Sequence, residues 1–151
     1  MKKIKIYLDN CCFNRPYDDQ SYISIKFESE AKIAIQEKIK KNEIDLCWSY
    51  ILDIENDNNP FIERKLEIEK WKSIAAFDTE ENEAILNNMK NLIEFGLKPL
   101  DSLHISCAIE LKCDYFLTVD KGILKKSDKI DNINIISPIN LIIKLEDGND
   151  D

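Results

Sequence analysis

The chain has 151 residues, which suits one domain of ordinary size, and its 44% hydrophobic content is enough for a core and excludes wholesale disorder. Its formal charge of -8 argues against tight non-specific binding to nucleic acid, because phosphate contacts need Lys and Arg and only Arg15 and Arg64 are arginines. The segment from Glu146 to Asp151 holds four acids and no base, which leaves 21 bases against 25 acids, or -4, in residues 1–145.

No apolar run approaches the roughly 20 residues of a membrane span. Lys2, Lys3 and Lys5 are not followed by the apolar stretch of a secretory signal. Five cysteines are an odd number, none forms a Cys-x-x-Cys pair, and the chain has a single His. That pattern argues against a zinc site and a disulfide framework, and the expectation is reduced, mostly buried thiols in a cytosolic protein.

In chain order, Ile4 to Leu8 alternates apolar and polar residues and reads as a strand that ends in Asp9. The run from Asn10 to Pro16 breaks it, and Asn14 to Gln20 is a polar loop rich in turn formers. Ser21 can cap a helix on which Phe27, Ala31, Ala34, Ile35 and Ile39 recur at three- and four-residue steps, with Asn42 at its end. Ile44 to Ser49 is a second strand, and Ser49 to Glu55 a short helix. Asn56 to Pro60 is a breaker, after which a helix runs to about Ile74 around Phe61, Leu66, Ile68 and Trp71. Thr79 is the expected N-cap of a helix carrying Ile85, Leu86, Met89, Leu92 and Ile93, with Gly96 at its C-terminal end. Pro99 opens the next helix. Tyr115 to Val119 is a buried strand that ends in Asp120, Lys121 to Lys126 is a helical turn or two, Ile133 to Ile136 is a strand, and Pro138 to Leu145 is a last helix.

This alternation of strands and helices implies an α/β fold: a three-layer α/β/α sandwich with a central parallel sheet of four to five strands. Residues 1–145 form one domain, and 146–151 are expected to be an acidic, disordered tail.

Asp9, Glu55 and Asp120 each follow a strand, Glu55 by way of a short helix. Asp101 lies in the first turn of the helix that enters the third strand. In a parallel sheet all four reach the carboxyl edge, where ligands of such sheets collect. Each has a plainer reading: an Asx turn for Asp9, a surface acid for Glu55, a favourable helix-dipole acid for Asp101 and an N-cap for Asp120. Their shared topological position favours a joint site. Four buried carboxylates repel unless a cation offsets them, and oxygen-only ligands favour Mg²⁺ or Mn²⁺. Such a site serves phosphodiester hydrolysis.

The residues that carry this reading resemble the PIN-domain family of VapC-like metal-dependent nucleases. The likeness rests on Ile6 to Pro16, on Leu100-Asp101-Ser102-Leu103-His104-Ile105 and on Phe116-Leu117-Thr118-Val119-Asp120-Lys121, with a weaker middle motif over Ser49 to Glu55. It implies that Asp9, Glu55, Asp101 and Asp120 are the catalytic and metal-binding acids, with Asp53 competing with Glu55 for the second position. Asn10 matches the family's polar residue after the first Asp and would orient Asp9 or a metal-bound water. Alternation along the third strand aims the Thr118 hydroxyl at the site. His104 shares a helix face with Asp101 and either serves the site or packs as a satisfied buried histidine. Arg15 is the expected RNA phosphate contact.

The implied activity is a metal-dependent endoribonuclease acting on single-stranded RNA, with an antitoxin partner, a homodimeric state and a cytoplasmic location as further implications. Two alternatives remain at this stage. One is a non-catalytic PIN-like module that binds RNA or protein. The other is a phosphotransfer enzyme, disfavoured because Cys11 stands where a phosphatase of that kind needs a second Asp.

Overall fold

The computed structural model of the chain describes residues 3–149. Four strands, β1 (Lys5–Leu8), β2 (Asp45–Cys47), β3 (Tyr115–Leu117) and β4 (Asn134–Ile136), form one sheet in the order β2-β1-β3-β4. Every pairing is parallel, with Tyr7 opposite both Cys47 and Phe116, and Leu117 opposite both Leu8 and Ile136. The β1 pattern of alternating polarity suggests a half-exposed strand. Instead Ile6, Tyr7 and Leu8 are all fully buried, because β1 is central and helices cover both faces of the sheet.

The helices are α1 (Asn10–Asn14), α2 (Ile23–Lys40), α3 (Tyr50–Asp57), α4 (Ile62–Ile74), α5 (Glu83–Glu94), α6 (Pro99–Glu110), α7 (Lys121–Lys125) and α8 (Pro138–Asn149). Helix α2 packs on α8 and α5 on α6, giving the three layers. The core joins both sheet faces through Phe13, Ile35, Trp48, Leu52, Ile85, Ile105 and Leu141.

Four local expectations are corrected. Asn10 to Asn14 is helical rather than loop: Asp9 caps it by accepting from the Asn10 N–H, Cys12 and Phe13 anchor it in the core, and a 3-10 turn over Arg15–Tyr17 follows. Ser21 does not cap α2. Its N–H is held by Asp19 in an Asx turn, and Tyr22 occupies the N-cap without a side-chain bond. Asn82, not Thr79, caps α5 by accepting from the Ile85 N–H, while the Thr79 hydroxyl donates to the Glu80 carbonyl. Helix α8 continues to Asn149 instead of stopping at Leu145, because extending a formed helix adds a backbone bond at little cost. Asp150 and Asp151 lie outside the described residues. Gly96 meets its expectation, ending α5 with a φ of 92° that a side chain would strain.

Candidate acidic site at the carboxyl edge of the sheet

Parallel pairing puts the ends of β1 and β3 side by side, and there Asp9 meets Thr118. Asp9 is 6% exposed, and both of its oxygens are engaged by the protein. One accepts from the Asn10 N–H at 2.8 Å. The other accepts from the Thr118 hydroxyl at 2.8 Å and the Cys11 thiol at 3.4 Å. Burial pushes the Asp9 carboxyl above its ordinary pKa. His104 and the two side-chain hydrogen bonds oppose that rise, and the charge of Glu55 adds to it.

The fully buried Thr118 hydroxyl also accepts from the Asp120 N–H at 3.1 Å, so one side chain ties the two strand-end acids together. Asp120 caps α7 by accepting from the Ile123 N–H at 3.1 Å, and a Cβ at Gly122 would stand 3.1 Å from that same oxygen. The N-cap reading of Asp120 therefore holds for one carboxylate oxygen. Asp101, half-buried in the first turn of α6, has its pKa raised by burial and then by the charges of Asp9 and Asp120. Both strand-end acids thus act on Asp101 across the sheet edge.

Glu55 reaches the same edge from α3. Its Oε1 is paired with His104 Nε2, and the other ring nitrogen of His104 lies 2.6 Å from the Tyr7 hydroxyl. The Tyr7 hydroxyl in turn lies 2.6 Å from Ser49 Oγ. One consistent proton order runs Ser49 to Tyr7 to His104 to Glu55, each donating to the next. His104 is 1% exposed with both nitrogens taken, so it is a satisfied buried histidine that steadies Glu55. Asp53 is directed elsewhere. It accepts from Trp48 Nε1 at 2.9 Å and pairs with Lys72 Nζ at 3.0 Å.

Among the described residues no three His, Cys, Asp or Glu side chains converge closely enough to hold a metal ion as they stand. The four acids thus share an edge as the sequence implies but do not meet at a point. The physical reason is local: Asp9 is held by three donors, Asp120 caps α7, Glu55 is drawn to His104, and like charges separate. Their all-oxygen chemistry, with Asp9 and Asp101 held in a field that disfavours ionisation, fits a hard divalent cation.

The Arg15 guanidinium pairs with Glu28 at 3.0 Å and Asp18 at 3.0 Å, neighbours that the sequence reading did not name. Tyr7 and Ser49 also escaped sequence reasoning, since a strand tyrosine and a helix-capping serine carry no local sign of a shared hydrogen bond 42 residues apart. Beside Glu55 lies a cleft of about 300 Å³ lined by Asn10, Asn14, Asn58, Asn59 and Arg64.

A four-stranded parallel sheet between two helical layers, with acids gathered at its carboxyl edge, is a PIN-like three-layer α/β/α fold. No protein-family profile matches the chain, and no curated protein matches it. Among solved structures, the chain is similar to one in the crystal structure of DNA-bound VapBC from Salmonella typhimurium. The TM-score is 0.57 at 19% sequence identity, over 89% of this chain and 98% of the other. Among the described residues no helix is long and apolar enough to cross a membrane.

Proposed function

We propose that this protein is a VapC-like PIN nuclease: a divalent-metal-dependent endoribonuclease that hydrolyses phosphodiester bonds of single-stranded RNA and serves as the toxin of a toxin–antitoxin pair. The observation that carries the proposal is the gathering of Asp9, Asp101 and Asp120 at the carboxyl edge of the sheet, with Asp9 and Asp120 bridged by the Thr118 hydroxyl and the charges of both bearing on half-buried Asp101. Asp9, Asp101 and Asp120 would hold Mg²⁺ or Mn²⁺. A bound cation of this kind supplies an activated water and neutralises charge on the leaving oxygen.

The remaining roles belong to the chain. Thr118 fixes the rotamer of Asp9 and the approach of Asp120 through one hydroxyl. The Asn10 N–H locks the other Asp9 oxygen, and its side chain faces the neighbouring cleft. Glu55, held by His104, completes the acidic shell or positions the attacking water from the side of α3. Five free cysteines accord with a cytoplasmic setting. The VapBC likeness supports an antitoxin as protein partner, and the resemblance to VapC-like nucleases supports a homodimer.

The test is cleavage of a mixed set of labelled single-stranded RNAs with Mg²⁺, Mn²⁺ or EDTA. Asp9→Asn and Asp101→Asn serve as controls, each expected to abolish cleavage with the fold intact. Retained cleavage in both variants would remove the metal-site argument. One observation favours a second reading, a non-catalytic PIN-like binding module: the acids do not converge as they stand. RNA binding without cleavage at any metal concentration would select it.

A further inference from the structure

We propose that the cleft beside Glu55 is a nucleotide subsite for single-stranded RNA, with Arg64 gripping a phosphate and the asparagine amides reading the base. The inference rests on the nuclease reading for its substrate, and its evidence is chiefly Arg64 and the asparagines of α1 and of the loop after α3. Arg64 is half-buried near the start of α4, with its guanidinium 3.9 Å from the centre of the Phe61 ring and 4.7 Å from that of Tyr17. Among the described residues no carboxylate lies within ion-pair distance of it, in contrast to Arg15. A guanidinium stacked on aromatic faces keeps its N–H edge free in the geometry that suits a phosphate. In a chain of net charge -8, it is the arginine left to meet an anion.

The rest of the lining is four asparagines, Asn10, Asn14, Asn58 and Asn59, with Pro60, Phe61 and the Glu55 carboxylate. Asn14 donates to the Asn10 carbonyl at 3.0 Å, and Asn59 accepts from the Phe61 N–H at 3.0 Å, so these two amides are set by the backbone. The exposed Asn58 side chain has no hydrogen-bond partner among the described residues. Amides offer donor and acceptor together and match base edges, whereas a cation site would call for charge. Glu55 lines this cleft and also acts on Asp9, so a chain entering the cleft at Arg64 runs past Glu55 to the acids. A phosphodiester with its nucleoside is the ligand whose charge and polarity match that path.

The experiment measures binding of four labelled single-stranded homopolymer RNAs by fluorescence anisotropy in EDTA, across a salt series, beside the metal-dependent cleavage assay. Arg64→Ala is expected to weaken binding about 10-fold or more for every RNA and to lower the salt slope by about one. Asn58→Ala is expected to flatten the preference among the four RNAs while leaving the slope unchanged. Arg15→Ala should change neither. Arg64→Lys, which keeps the charge, should retain the slope and lose part of the affinity, which separates phosphate binding from a folding defect. Unchanged affinity in Arg64→Ala, or no binding by the unsubstituted protein, overturns the subsite. Cleavage with unchanged KM and product pattern in Arg64→Ala overturns it while the nuclease reading stands. Arg64-dependent binding without any cleavage upholds the subsite and removes the nuclease.

Discussion

Replacing Thr118 by Val removes one buried hydroxyl and little volume. That hydroxyl donates to Asp9 and accepts from the Asp120 N–H, so two bonds are lost at once. A hydrogen bond to a buried carboxylate contributes roughly 1.5–3 kcal/mol, and a neutral bond whose donor can turn to water roughly 0.5–1.5. The expected loss at pH 7 is therefore about 2–4 kcal/mol, within the 5–15 kcal/mol typical of a domain, so the variant still folds. With an m-value of about 2 kcal/mol/M, the urea midpoint falls by about 1–2 M. The pH dependence has a definite sign. The Thr118 bond favours ionised Asp9, so it stabilises at pH values above the Asp9 pKa and its contribution fades as pH falls through that pKa. Urea unfolding of both proteins at pH 7 and pH 3.5 is the assay, with Asp9→Asn closing a double-mutant cycle. A loss below about 0.5 kcal/mol at pH 7, or an equal loss at both pH values, would refute the reasoning.

Three further outcomes are expected. Lys32, 6% exposed, has its pKa lowered to about 8, chiefly by burial, so its charge burdens the folded state until pH rises through that value. Lys32→Met should stabilise by about 3 kcal/mol at pH 7, and the gain should vanish above about pH 10.5, read by chemical denaturation. Asp101 has a raised pKa, so its ionised form costs stability that sets in as pH rises above the ordinary carboxyl value and is complete above the raised one. Asp101→Asn should raise the melting temperature at pH 7 but not at pH 3, and Mg²⁺ should stabilise the unsubstituted protein more than the variant. Tyr7→Phe keeps the stacking on Phe116 but leaves His104 Nδ1 and Ser49 short of a buried partner. Its expected cost is about 1–3 kcal/mol in urea, and a neutral result would contradict the hydrogen-bonded string.

The sheet and three of its acids were legible because period and topology are local and additive. The apolar runs of β1 and β3 each end in an aspartate, and parallel pairing then forces those ends together. Thr118 was legible for the same reason, being two residues before Asp120 on one face. Helix α1 was not, since Asn and Cys are poor helix formers and its support comes from the Asp9 cap and the burial of Phe13. The pairing of Arg15 with Glu28 was not legible either, because Glu28 lies thirteen residues away on a helix whose facing only packing decides. The pairing of Glu55 with His104 spans 49 residues and exists only once α3 and α6 are docked. Side chains that answer to the backbone were readable; those that answer to another helix were not.

The strand order has a temporal consequence. The central strand β1 is made before its partner β3, which lies more than 100 residues later, and the acids at their shared edge come from Asp9 and Asp120. At about 5–20 residues per second, β1 waits several seconds on the ribosome without the neighbour that buries it. Such long-range parallel pairing is intrinsically slow to close and leaves an apolar strand uncovered meanwhile. The acidic edge therefore forms only after β3 has been made. A truncated or stalled chain that ends before Tyr115 carries Asp9, Glu55 and Asp101 without the frame that aligns them.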